Sequence, residues 1–256
     1  MELRIFAVGD VVSGGLDFLE ARLPALKRAL GADFTVVNGE NANARGILPR
    51  QADRIFDAGA DVITLGNHTW ARKEIEPYLD DTPRIIRPAN YAPQVPGFGS
   101  CEVETRFGTV CVINLIGRCN MPFGPDSPFA AADRILKKTE ARFRLVDFHA
   151  EATSEKLAMA YYLDGRATAL WGTHTHVQTS DAQVFPSGLG YITDLGMTGA
   201  IRSVIGVEPD SSLNMFLGNP PRRYEAARGP YKLEGCLFTC DAATGRCLAA
   251  EAVRIE

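Results

Sequence analysis

The sequence predicts an α/β fold, and three observations support this prediction. Short apolar, β-branched segments recur along the 256-residue chain and alternate with stretches of helical periodicity. Several segments are almost uniformly apolar, as expected for strands that are covered on both faces. Polar residues concentrate directly after these segments, at the end of the sheet where ligands bind in open α/β folds. The alternation of strand, loop and helix therefore indicates a layered α/β protein.

The predicted strands are short runs of β-branched and apolar residues bounded by turn formers. From Gly235 onwards the sequence is typical of a hairpin, with Asp241–Gly245 as its turn. The other predicted strands are Leu3–Val8, Phe34–Val37, Asp61–Leu65, Val110–Leu115, Arg144–Phe148, Thr168–Trp171 and Gly190–Thr193.

Four stretches between the strands are predicted to be helices. Leucines at three- and four-residue steps indicate an amphipathic helix over Leu16–Leu30, despite the proline inside it. Pro49 is typical of the first turn of a helix, here extending to Ala58. Phe129–Phe143 and Ser154–Leu163 are the remaining predicted helices.

The chain is predicted to form a single domain over residues 1–256, because nothing repeats at a fixed period and no linker divides it. Residues 195–230 differ from the rest, since they are rich in turn formers and lack clear periodicity. Long excursions of this kind in compact domains tend to be functional. We expect this one to form either the wall of a pocket or a contact in a homo-oligomer.

Composition limits the classes of function. There are 27 Lys and Arg against 31 Asp and Glu, and a net charge of -4 argues against binding extended nucleic acid or membranes through charge alone. The N-terminus lacks a signal-peptide pattern, and there is no apolar run long enough to span a membrane. Six cysteines without a CxxC pair are expected to be reduced. We therefore expect a cytoplasmic protein that acts on a small ligand.

All four histidines of the chain follow predicted strands, in polar loops. A single polar residue at such a position is usually a turn or cap residue, and Asn-Gly alone indicates a turn. Here five loops carry polar residues at equivalent places, which is hard to reconcile with unrelated turns. The loops are Gly9-Asp10, Asn38-Gly39-Glu40-Asn41, Gly66-Asn67-His68, His149 to Glu151, and Gly172-Thr173-His174-Thr175-His176.

The side chains of these loops form a predicted metal site with oxygen and nitrogen donors and no thiolate, which suits Fe, Mn or Zn. His174 and His176 would project to the same side of an extended segment. Seven donors are too many for one tetrahedral ion and suit two ions that share a carboxylate, for which Glu40 is the natural bridge. The predicted ligands are Asp10, Glu40, Asn41, Asn67, His149, His174 and His176.

The loop sequences resemble the calcineurin-like metallophosphoesterase superfamily and, within it, the YmdB-like branch. The motifs occur in the order GDVVSGG, NGENANARG, TLGNHTW, DFHAEATSEK and GTHTHVQTSD, with RPAN, NLIGR and YITDLGMTG as further signatures of the branch. Val12 replaces a ligand histidine of the wider superfamily, and Glu40 replaces its usual aspartate. Both departures are themselves the pattern of the branch, in which Asn41 fills the missing position.

The resemblance implies a four-layer α/β/β/α sandwich with an iron or manganese pair at the carboxyl ends of the strands. One ion would be held by Asp10, Glu40, Asn41 and His176, and the other by Glu40, Asn67, His149 and His174. The implied activity is hydrolysis of 2′,3′-cyclic nucleotides to 3′-nucleotides by a metal-bridging hydroxide. The open alternatives are a phosphomonoesterase or nucleotidase with the same metal site, and a regulatory protein that binds a nucleotide or RNA with little turnover.

His68 is the predicted general acid, because the adjacent ligand Asn67 would fix it near the metal pair. The alternative role for His68 is to orient a ligand. Arg118 is a tentative substrate contact through its planar guanidinium, although a surface arginine is the more common role for such a residue, and the same interpretation is given to Arg45 and Arg87. Glu151 is expected to help cap the helix that follows His149.

Overall fold

The fold of the protein, described by a computed structural model over residues 1–220 and 225–256, consists of two β-sheets with helices outside each of them. The helices are α1 Gly15–Leu30, α2 Pro49–Asp57, α3 Ile75–Asp81, α4 Pro128–Leu136, α5 Thr153–Leu163 and α6 Pro209–Phe216. The strands are β1 Glu2–Val8, β2 Asp10–Val11, β3 Phe34–Asn38, β4 Val62–Thr64, β5 Ile85–Ile86, β6 Ser100–Thr105, β7 Gly108–Ile116, β8 Phe143–His149, β9 Ala169–Thr173, β10 Gln183–Val184, β11 Gly190–Ile192, β12 Met197–Ala200, β13 Tyr231–Asp241 and β14 Cys247–Ile255.

The first sheet has eight strands in the order β2-β12-β13-β1-β3-β4-β5, with β14 also paired to β13. Strands β1, β3, β4 and β5 run parallel, while β13 is antiparallel to β1, β12 and β14. The parallel strands are joined by the crossover connections that such pairing requires. Their carboxyl ends consequently lie at one edge of the sheet.

The second sheet has six strands in the order β10-β11-β9-β8-β7-β6. Its four central strands are parallel, and an antiparallel strand closes each side. The register places Ile116 beside His149, and His149 beside Thr173. The second group of motif residues is therefore brought to the carboxyl edge of this sheet.

Three buried apolar clusters show that the architecture is a sandwich of helix, sheet, sheet and helix. Leu3, Phe34, Val112 and Trp171 belong to a cluster between the sheets that draws side chains from both. A second cluster joins the leucines of α1 to the first sheet and to α2 and α3, and a third packs α4 and α5 on the second sheet. The alternating faces of the strands explain how each sheet contributes to two clusters. The predicted four-layer fold is confirmed.

The structure corrects several details of the sequence prediction. The helix predicted over Phe129–Phe143 ends at Leu136, because the chain must turn before Phe143 begins β8 and enters the central core. Helix α3 was not predicted. The excursion over residues 195–230 contains β12 and α6, so it is not devoid of regular structure, and residues 221–224 of it lie outside the described part of the chain.

Arg87 of the RPAN motif is buried, which contradicts its interpretation as a surface arginine. Its guanidinium donates hydrogen bonds to the carbonyl oxygens of Pro88, Val95 and Pro96, and Asn90 links Ile116 to Asp126. These bonds fix the segment that follows β5 against the end of β7. Within residues 1–220 and 225–256, there is no helix with the length and hydropathy needed to cross a membrane.

Candidate metal centre and active site

The candidate site lies where the carboxyl edges of the two sheets meet. Asp10 follows β1, and Glu40 follows β3 on the first sheet, whereas His149 ends β8 on the second sheet. All three side chains are completely buried, and each offers a donor atom within 4.8 Å of the others. Residues far apart in the sequence are therefore assembled into one cluster by the parallel strands.

Glu40 stands at the centre of this cluster. Its Oε2 atom lies 2.8 Å from Nε2 of His149, and its Oε1 atom accepts a 2.8 Å hydrogen bond from the backbone N–H of His68. Asn67 Oδ1 lies 2.9 Å and His174 Nδ1 lies 3.0 Å from the same Nε2 atom. Burial would raise the pKa of Glu40, but the neighbouring His149 outweighs it and the pKa is lowered. Glu40, Asn67, His149 and His174 thus form one group of facing donors.

Asp10 gathers a second group of donors. Its Oδ1 atom lies 3.7 Å from Nε2 of His176, and Asn41 Nδ2 lies 3.3 Å from that nitrogen. The oxygen of the same Asn41 amide is the atom that could bind a metal. Burial would raise the pKa of Asp10, but the contact with His176 and the charge of His149 lower it far below its ordinary value. Burial likewise would lower the pKa of His176, but its interaction with Asp10 raises it to about 9.

The hydrogen bonds of His149 determine which of its nitrogens is available. Thr173 Oγ1 donates to Asp147 Oδ1 at 2.7 Å, so it must accept from Nδ1 of His149, which lies 3.0 Å away. Asp147 also accepts from Asn38 and from Thr64, which suits an ionised carboxylate. Burial raises the pKa of Asp147 to about 6, so it is ionised at neutral pH. Nε2 of His149 is therefore the nitrogen that faces Glu40 with a lone pair or an exchangeable proton.

His176 is oriented in a similar way from the 195–230 excursion. Its Nδ1 atom lies 2.9 Å from the carbonyl oxygen of Ile205, which can only accept a hydrogen bond. A histidine binds a metal as the neutral ring, and in that form the proton of His176 would be held on Nδ1, which leaves Nε2 for the metal beside Asp10 and Asn41. A ligand nitrogen fixed by a bond to its other ring nitrogen is typical of histidines that bind metals.

Contrary to the prediction from the sequence, His174 and His176 do not lie on one side of an extended segment. Strand β9 ends at Thr173, and His174 and His176 have positive φ angles of 102° and 64°, so neither follows the alternation of an extended strand. Backbone in this region is uncommon for residues other than glycine and is often found at functional sites. The turn directs His174 toward His149 and His176 toward Asp10.

Gly66 of the TLGNHTW motif makes room for the cluster. A Cβ atom at this position would lie 1.9 Å from Glu40 Oε2 and 2.4 Å from His149 Nε2. No side chain can therefore replace the hydrogen atom without displacing Glu40 and His149. The glycine is required by close approach.

Two observations show that the donors fit metal ions. Oε2 of Glu40 and Oδ1 of Asp10 are buried carboxylate oxygens that receive no well-directed hydrogen bond from the described residues. Buried polar atoms without partners are rare and costly in proteins. In addition, Glu40 Oε2, Asn67 Oδ1 and His174 Nδ1 all lie within 3.0 Å of Nε2 of His149, and a cation would stabilise such a convergence of oxygen and nitrogen atoms. The residues fit the metal pair that the resemblance implies.

A cavity of about 470 Å³ opens next to the cluster. His68 lines it together with the candidate ligands Asn41, His174 and His176, and burial lowers the pKa of His68. Residues 204–207 and part of α6 form its other side, so the 195–230 excursion contributes a wall of this cavity.

The positions of Arg118 and Glu151 differ from the roles predicted for them, a substrate contact and a helix cap. Arg118 is exposed, is not among the residues that line the cavity, and its backbone N–H donates to the carboxylate of Glu155. Helix α5 has no side-chain cap, so the expected capping role of Glu151 is wrong. Instead, Glu151 lines the cavity with its carboxylate 3.3 Å from His174 Nε2. Burial and the charge of His149 lower the pKa of His174 to about 4.

A buried ion pair that the sequence did not reveal supports the histidine turn. Lys156 Nζ and Asp194 Oδ2 are 2.8 Å apart, and both side chains are 1% exposed. Asp194 also accepts hydrogen bonds from the backbone N–H groups of Thr175 and Gly196. The pair thereby joins α5 to the turn that carries His174 and His176 and to the YITDLGMTG segment.

We expect Thr173→Val to weaken metal binding about 10- to 100-fold, because His149 would lose the bond that fixes its ring nitrogen. The substitution keeps the shape of the side chain. Titration of the metal-free protein with Mn²⁺ by calorimetry measures the effect. Thr109→Val, where the hydroxyl bonds only an exposed glutamate, is the matched control. Equal affinities in the two variants would contradict the orienting role of Thr173.

Comparisons with known proteins agree with this description. A family model of the YmdB-like protein matches residues 6–253. A 2′,3′-cyclic-nucleotide 2′-phosphodiesterase from Bacillus subtilis (strain 168) is 42% identical over 258 residues, covering 99% of this chain and 97% of that protein. A solved structure described as a novel phosphatase from Mycoplasma pneumoniae is 32% identical with a TM-score of 0.94, covering 100% of this chain and 94% of that chain. A hypothetical protein from Thermus thermophilus is 39% identical with a TM-score of 0.93, covering 99% of both chains.

The two-sheet fold and the carboxylate, amide and imidazole groups at its strand ends define an enzyme of the phosphoesterase class, as the relatives' names confirm. Within this class, the chain belongs to the YmdB-like family. The resemblance drawn from the motifs is thus confirmed.

Proposed function

We propose that the protein is a dinuclear metal-dependent phosphodiesterase that hydrolyses 2′,3′-cyclic nucleotides to 3′-nucleotides. The observation that carries this proposal is the pair of donor groups around Glu40 and Asp10, next to a cavity lined by His68. The name of the Bacillus subtilis relative supports the choice of substrate. Iron or manganese is the proposed metal, because the family resemblance implies this pair and the oxygen and nitrogen donors suit both.

Each donor group has a distinct part in holding the metals. Glu40, Asn67, His149 and His174 would hold one ion, and Asp10, Asn41 and His176 would hold the other, with Glu40 shared between them. Two bound metal ions supply an activated water nucleophile and neutralise charge on the phosphate. The hydrogen bonds that His149 and His176 donate to Thr173 Oγ1 and to the Ile205 carbonyl oxygen keep the two rings in place.

His68 is positioned to assist the departure of the ribose oxygen. Its backbone N–H is bound to Glu40, and its ring lies beside Asn67, with 3.3 Å between His68 Nδ1 and Asn67 Nδ2. Because burial lowers its pKa, the ring is mainly neutral at pH 7 and retains one N–H. A neutral imidazole of this kind can stabilise a developing oxyanion by donating a hydrogen bond to it.

The size of the cavity favours a small substrate. About 470 Å³ lies within the usual range for small-molecule sites. With a net charge of -4, the protein lacks the excess of basic residues that accompanies binding to extended nucleic acid. We therefore propose that mononucleotides are preferred to RNA. A homo-oligomer remains a prediction from the sequence.

The test is a panel of substrates assayed with protein of known metal content. Elemental analysis should find about two transition-metal ions per chain, and chelation should abolish hydrolysis of 2′,3′-cyclic nucleotides. Faster cleavage of p-nitrophenyl phosphate than of bis-p-nitrophenyl phosphate would favour the phosphomonoesterase alternative. A bound cyclic nucleotide that survives incubation would favour the regulatory alternative. Full activity in metal-free protein would overturn the mechanism.

We expect His68→Ala to lower kcat about 10²- to 10⁴-fold while the metal content stays at the wild-type level, because general-acid catalysis contributes that much. The backbone N–H that binds Glu40 is retained in this variant. Steady-state kinetics together with elemental analysis measure both quantities. Loss of metal along with turnover would show that His68 only orients a ligand.

A further inference from the structure

A short loop after Glu40 borders the cavity and is tightly packed beside His68. Residues 43–46 form a turn in which the Asn43 N–H donates to the Gly46 carbonyl at 3.0 Å. Gly46 has a φ of 83°, and a Cβ atom there would lie 3.1 Å from Ala71 and 3.3 Å from the His68 carbonyl oxygen. The loop therefore has a defined position relative to His68.

Arg72 holds the backbone of this loop from the other side. Its Nε atom donates to the carbonyl oxygen of Arg45 and its Nη2 atom donates to that of Asn43, each at 3.2 Å. Arg72 follows His68 in the same segment, so the two segments are joined by these bonds. The backbone of Arg45 is thus fixed although its side chain is exposed.

The side chain of Arg45 lines the cavity together with His68 and His174. Among the lining residues of the described chain it is the only arginine or lysine, and it has no ion pair or side-chain hydrogen bond with the described residues. Arg45 is therefore a cationic residue in the lining of the cavity, with no anionic partner among the described residues.

We propose that Arg45 binds the phosphate group of the substrate. A guanidinium presents N–H donors in a planar fork that matches two phosphate oxygens. The identity of the substrate rests on the proposed function, whereas the binding of a phosphate group by Arg45 does not. This inference replaces the sequence-based interpretation of Arg45 as a surface arginine.

The test is the affinity of manganese-loaded protein for inorganic phosphate, measured by calorimetry, with the KM for 2′,3′-cyclic AMP measured in parallel. Arg45→Gln should raise the Kd for phosphate and the KM about 10- to 100-fold, with a smaller change in kcat and an unchanged metal content. Arg45→Lys should recover part of the affinity, because it keeps the charge and loses the fork. Arg50→Gln, an exposed position on α2 outside the cavity, is the matched control.

A second measurement tests whether Arg72 positions the loop that carries Arg45. Arg72→Gln should also raise the Kd for phosphate, and it should have little further effect in a protein that already carries Arg45→Gln. An unchanged phosphate Kd in Arg45→Gln, or a loss of metal in that variant, would overturn the proposal. If wild-type protein fails to hydrolyse cyclic nucleotides but Arg45→Gln still weakens phosphate binding, the proposed function is wrong and the inference about Arg45 stands.

Discussion

Replacement of Glu40 by glutamine is expected to lower phosphodiesterase activity roughly 10³-fold and to reduce the metal content below two ions per chain. The side chain is completely buried and lies between the two donor groups, 2.8 Å from His149 Nε2. The substitution keeps the size of the side chain but removes the anion that would offset repulsion between two cations. One of its oxygens would be replaced by an N–H₂ group, which cannot coordinate a metal.

The measurements for Glu40→Gln are elemental analysis and kcat/KM on a 2′,3′-cyclic nucleotide, with folding checked by thermal denaturation. Glu140→Gln removes a carboxylate at an exposed position and serves as the matched control. Retention of two ions and of near wild-type activity would exclude Glu40 as a shared ligand.

The second large effect is expected at the buried ion pair. Lys156→Met should lower the free energy of unfolding by about 3–5 kcal/mol, because it leaves Asp194 as an uncompensated buried charge. The side chains of Lys156 and Asp194 are each 1% exposed, so solvent screening does not reduce this cost. Urea denaturation of the metal-free protein measures the loss without a contribution from ligand binding.

Two further variants identify the cause of the Lys156 effect. Lys156→Met combined with Asp194→Asn should recover part of the stability, since no charge is then left buried. Arg106→Met, at an ion pair with Asp33 whose arginine side chain is 76% exposed, should cost less than about 1 kcal/mol. Equal losses for Lys156→Met and Arg106→Met would contradict the interpretation.

The strands and the order of the motifs could be predicted because each depends on local sequence. Almost uniformly apolar segments such as Val110–Leu115 indicate strands covered on both faces, and the polar loops that follow them must meet at one edge. The structure brings all seven predicted ligand residues to that edge. Their role as metal ligands stays a prediction.

The residues that surround the candidate ligands could not be predicted, because their roles depend on contacts between distant parts of the chain. Asp147 looks like an ordinary polar residue in β8, and only the fold places it beside Asn38 from the other sheet and beside Thr173. The local sequence around Arg45 and around Arg87 suggests a surface residue in both cases. Nevertheless, Arg45 lines the cavity and Arg87 is buried. Periodicity cannot distinguish such cases.

The single hydrogen bond between His176 and the carbonyl oxygen of Ile205 has a thermodynamic consequence. It connects His176, a proposed metal ligand, to Ile205, which lies in the wall of the cavity. Filling of the proposed metal centre and ordering of the wall would therefore be linked equilibria, and linkage is reciprocal. A nucleotide that packs against residues 204–207 would tighten metal binding by the same factor by which the metal tightens nucleotide binding. The protein would then hold its metals most firmly while substrate is bound.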